Sequence, residues 1–60
     1  MNEELLKKSI ELLDKLYDVF ADLSTEAEEN GDTEKYDFFS DKYMTCDEIK
    51  ADIQNLKNKA

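Results

Sequence analysis

Apolar residues recur along the first half of the chain at Leu6, Ile10, Leu13, Tyr17, Phe20 and Ala27, at mostly three- and four-residue steps. That spacing marks one face of an α-helix. A second row runs beside the first, at Leu5, Leu12, Leu16, Val19 and Leu23. Asn2 stands where an N-cap belongs, and Glu3 and Glu4 follow in the first turn, where the helix dipole favours anions. The second half repeats the pattern through Phe39, Tyr43, Cys46, Ile49, Ile53, Leu56 and Ala60, and closes with Lys57 and Lys59 at the end that favours cations.

The two halves meet at Asn30-Gly31-Asp32-Thr33, which holds the only Gly of a chain without Pro. Glycine just past a helix end takes the left-handed conformation that stops the helix, and Asp32 or Thr33 can cap the next one. The pattern predicts an all-α fold: a single antiparallel helical hairpin over residues 1–60, with helices at about 3–29 and 33–59 and a turn at 30–32. One signal competes. Thr45 and Glu48 match a capping box, with Met44 and Ile49 as a hydrophobic staple. The apolar phase runs through this point with little drift, so the second helix is expected to continue.

Folding the chain at Gly31 sets facing residues in apolar layers: Leu6 with Leu56, Ile10 with Ile53, Leu13 with Ile49, Leu16 with Cys46, Phe20 with Tyr43, Leu23 with Phe39, and Ala27 with Tyr36. The near-heptad spacing predicts a left-handed supercoil. Apolar surface is left over. A helix facing one neighbour needs only a narrow seam, whereas the apolar arc of the first helix covers nearly half its circumference. Leu5, Leu12, Tyr17 and Val19 flank the seam and are the candidate self-association residues, and Phe38 is out of phase with the core of the second helix. A homodimeric four-helix bundle would cover them.

Size supports that expectation. A chain of 60 residues buries only about 60 % of the surface its unfolded form exposes. Small scaffolds therefore need a disulfide, a metal or a partner. A single Cys and no His disfavour the first two, which leaves association.

The net charge of −8 is unevenly spread. Asp18, Asp22, Glu26, Glu28, Glu29, Asp32 and Glu34 lie between Leu16 and Glu34 with no Lys among them, while Lys7, Lys8, Lys15, Lys50, Lys57 and Lys59 lie toward the termini. Two acidic tips side by side would repel, so an antiparallel dimer is expected. The acidic balance argues against direct contact with nucleic acid or anionic lipid. No apolar run reaches the roughly 18–20 residues that cross a bilayer, and Glu3 and Glu4 occupy the place of a signal peptide's positive region. With a lone thiol, these features point to the cytoplasm.

Candidate chemistry is sparse. Glu11, Asp14, Asp18, Asp22 and Glu29 form an acidic stripe on one side of the first helix. Carboxylates one helical turn apart lie about 6 Å from each other, near the spacing of backbone phosphates. Asp14, Asp18, Asp22 and Glu29, with Tyr36 and Phe38 from the aromatic half of the chain, are the candidate partner-binding residues. A solvated face that promotes solubility explains the acids equally. Glu26, Glu28, Asn30, Gly31, Asp32, Glu34 and Asp37 echo a calcium-loop spacing, but the ligand types are wrong and the first helix must reach Ala27. Cys46 reads as a buried structural thiol. No His, no Arg and no glycine-rich phosphate loop support catalysis, and neither metal nor cofactor is implied. The expected function is that of a non-enzymatic, self-associating interaction protein that regulates or inhibits a partner protein, with the acidic charge favouring a basic one. The alternative is a nucleic-acid mimic that blocks a DNA-binding protein or nuclease, such as a phage or bacterial antagonist of restriction or CRISPR.

Overall fold

A computed structural model describes residues 2–59 as two helices, α1 (Glu3–Glu29) and α2 (Thr33–Lys59), packed as an antiparallel hairpin. The hairpin is a rod 45 Å long and only one helix deep. Ala60, assigned above to the apolar pattern, lies outside the described residues.

Each helix end is held as its residues dictate. The Asn2 Oδ1 accepts from the backbone N–H groups of Glu4 at 2.9 Å and Leu5 at 3.3 Å, satisfying two of the four free donors at the start of α1. At the other end Gly31 takes φ of +71°. This lets its N–H donate to the Glu28 carbonyl and the Asp32 N–H donate to the Ala27 carbonyl, closing the last turn of α1. Asp32 then starts α2, where its Oδ1 accepts from the Lys35 N–H at 3.1 Å. The same residue therefore ends one helix and caps the next, and the turn has no slack. α2 continues through residue 45, where the Thr45 hydroxyl bonds back to the Asp41 carbonyl instead of capping a new helix.

The interior is thin. Among the described residues only Ser24, Ala27 and Cys46 are buried, and no large side chain is fully buried. The buried positions all carry small side chains. Ser24 and Ser40 share a hydrogen bond of 3.0 Å across the pair. Aromatic rings flank this layer: Phe20 stacks on Phe39 at 6.3 Å between centroids, and the Tyr17 ring meets Tyr43 edge-on at 5.1 Å.

These pairings correct the expected layers. Phe20 meets Phe39, not Tyr43, and Tyr17 sits within the seam, not on its flank. Leu16, Ile49 and Leu56, all expected in the core, are exposed. A polar serine pair stands where only apolar layers were expected. One cause accounts for all of these. The seam cuts the broad apolar arc of α1 off-centre, through the buried Ser24 and Ala27. The larger aliphatics are left on one side.

Candidate functional site

The leftover side chains form the most distinctive surface of the molecule. Among the described residues eight large apolar ones are exposed: Leu5, Leu12, Leu16, Val19, Phe38, Met44, Ile49 and Leu56. At about 100° per residue, the four from α1 fall within an arc of about 60°, and Phe38, Ile49 and Leu56 within a narrower one. Each arc lies about a quarter turn from the line where the helices meet, displaced in the same rotational sense. In an antiparallel pair that places both arcs on one side of the rod. Only Met44 points away.

The seven residues of this face are between 37 % and 60 % exposed. At about 170 Å² for a fully exposed large residue, they present on the order of 600 Å², at the upper end of the largest patch that soluble monomers ordinarily leave. Lys42 interrupts the face without breaking it. Its stem is half-buried and its Nζ lies 4.9 Å from the Phe38 ring centroid, while Phe38 itself rests edge-on against Phe39 at 5.3 Å. Near the turn the face deepens into a hollow of about 210 Å³ between Leu23, Ala27, Lys35 and Phe39, with Glu26, Asn30 and Asp32 on its rim. A second hollow of about 280 Å³ lies beside it against Phe38 and Glu34.

The acids occupy other surfaces. Asp18, Asp22 and Glu29 are exposed on the outer side of α1, away from the apolar face. Asp14 is not free: the Lys50 ammonium donates to its Oδ1 at 2.6 Å, tying the two helices on the side opposite the apolar face. That bond, with the nearby charges of Asp14 and Asp47, holds the Lys50 ammonium above the ordinary lysine pKa. Tyr36 is half-buried on the other flank of α2 from Phe38. The six candidate partner-binding residues therefore do not share one patch. Of the four candidate self-association residues, Leu5, Leu12 and Val19 share the apolar face, while Tyr17 is turned into the seam.

Residues missed in the sequence were Leu16, Ile49 and Leu56, which join the face. The calcium-like spacing has no loop to act through, since Glu26 and Glu28 lie on α1 and Glu34 and Asp37 on α2. Among the described residues no acidic, Cys or His group is arranged to hold a metal, and no helix is long and apolar enough to cross a membrane. Comparison with known proteins adds no assignment: no protein-family model matches the chain, and neither a curated protein nor a solved structure matches it at a significant level.

Proposed function

We propose that the protein is a non-enzymatic interaction module whose working form is a self-associated helical bundle, and that it regulates or inhibits a partner protein. The observation that carries this reading is the single-sided apolar face on a hairpin that fully buries no large side chain among the described residues. A hairpin one helix deep lacks the second layer from which domains build a core. Covering about 600 Å² at roughly 25 cal/mol per Å² contributes on the order of 15 kcal/mol before association entropy is subtracted, so this term outweighs anything else on the surface. Surface ion pairs, by comparison, are worth about 0–1 kcal/mol each.

Once the face is covered, Asp18, Asp22 and Glu29 remain on the outside, available to a basic protein partner. The nucleic-acid-mimic alternative rests on the same acids, and the Lys50 ammonium interrupts its row at Asp14. A lone buried thiol suits a reducing, cytoplasmic setting.

Sedimentation velocity between micromolar and hundred-micromolar concentration tests the reading. The wild-type chain is expected to run as an oligomer, and Leu12→Asp with Val19→Asp as a monomer. A wild-type chain that is folded and monomeric throughout refutes it.

A further inference from the structure

Resting on that reading, we propose that the occupant of the apolar face is a second copy of this chain, laid antiparallel about a twofold axis, with α1 covering α1 of the partner and α2 covering α2. The exposed row of α1 is nearly its own mirror about Leu16. Turned end for end, Leu16 meets itself, Leu12 meets the partner's Val19, and Leu5 comes over the hollow beside the partner's Ala27. The row of α2, taken with Lys42, Thr45 and Asp52 on the same side, is symmetric about Asp47 in position, though Ile49 reflects onto a polar residue. Phe38 meets the partner's Leu56, Ile49 meets the partner's Thr45, and the ammonium of Lys42 meets the carboxylate of the partner's Asp52.

Two independent rows need not share an axis, but these do. The cross-helix pairs Asp14–Lys50 and Tyr17–Tyr43 set Leu16 level with the turn of α2 that holds Asp47. One twofold axis therefore satisfies both helices, as an isologous interface requires. Charge points the same way. The antiparallel pair brings Lys8 beside the partner's Glu26, whereas a parallel pair would stack two acidic tips within one screening length. The area is sufficient: two such faces bury about 1,200 Å², the lower end of stable interfaces, before their rims are counted.

Oxidative cross-linking in a Cys46→Ala background tests the orientation. Leu16→Cys is expected to form a disulfide-linked dimer, and a mixture of Leu5→Cys and Leu56→Cys chains is not. A spin label at Glu29→Cys, on the exposed tip and outside the interface, is an independent ruler. Antiparallel copies hold the two labels about 40 Å apart, at 1.5 Å of rise per residue from the axis. Labels closer than about 20 Å, with cross-linking between positions 5 and 56, would establish a parallel pair and overturn the proposal while self-association stands. A dimer that cross-links at neither site uses another face and overturns it too. A folded monomer by sedimentation, with no intermolecular dipolar signal, removes both readings and leaves the face to a foreign amphipathic helix.

Discussion

The half of the rod nearest the turn and the half carrying the termini have the same architecture and comparable apolar content, yet they are packed differently. The three buried residues among those described lie between positions 24 and 46, and no residue of 2–15 or 47–59 is buried. Near the turn, Ser24 and Ala27 are buried, Ser24 is hydrogen-bonded to Ser40 across the pair, and the rings of Phe20, Phe39, Tyr17 and Tyr43 flank them. Toward the termini, Leu6, Ile10, Leu13 and Ile53 are half-buried like those rings, but no small residue is buried among them, and the polar tie between the helices among the described residues is one exposed ion pair. Packing in two helices alone is thus decided by which side chains are small enough to admit a neighbour, not by how many are apolar. In the proposed bundle, the terminal half is the part that gains most from a further layer.

The strongest way to break this contrast is to remove that layer. Leu12→Asp is expected to weaken association about a hundredfold, roughly 3 kcal/mol, and to abolish the concentration dependence of Tm. Hydrogen exchange should then accelerate more in residues 3–15 than in residues 20–29. Equal acceleration would mean that the two halves do not differ. Next in size, Phe39→Ala in that monomeric background should cost about 2 kcal/mol in urea unfolding, against about 1 kcal/mol for Leu6→Ala, because only the former opens a packed ring pair. Gly31→Ala should cost about 1–2 kcal/mol. Nothing lies within 4 Å of an added Cβ, so the whole effect comes from the left-handed backbone at φ of +71°. Ser24→Ala should cost about 1 kcal/mol by leaving the Ser40 hydroxyl without its partner, and adding Ser40→Ala should restore most of it. A doubly substituted chain as weak as the single one would show that the serines act by size alone.

The smallest effect belongs to the terminal half. Lys50 is held above its ordinary pKa in the folded chain by its bond to Asp14. Its contribution is therefore fully present below about pH 10.4 and is lost as pH rises through the raised value. Lys50→Gln should flatten that alkaline limb and leave stability near neutral pH almost unchanged. An unaltered alkaline limb would mean that another group sets it.

The hairpin was legible because its signals are local: three-and-four spacing on both sides of one Gly, with Asn2 and Asp32 placed as caps. The layers were less so. An arc as broad as that of α1 can be cut by a seam at several angles, and hydrophobicity does not say which. Ser24 and Ser40 decide the angle, and both look like surface residues until their phase is noted: Ser24 stands four residues after Phe20 and three before Ala27, on the inward row. The surplus at Leu5, Leu12 and Val19 could be read from the width of the arc. That Leu16, Ile49 and Leu56 would join it on a common side depends on where the seam falls, which only the folded pair shows.

The turn without slack returns the chain to its starting point, so Asn2 and Lys59 share one pole of a rod 45 Å long. In the antiparallel arrangement the free ends of two copies stand at opposite poles. A covalent tandem that preserves it needs a tether of at least about 13 extended residues, whereas one of about five residues would enforce the opposite polarity. Tether length alone would therefore become a dial for selecting between the two arrangements.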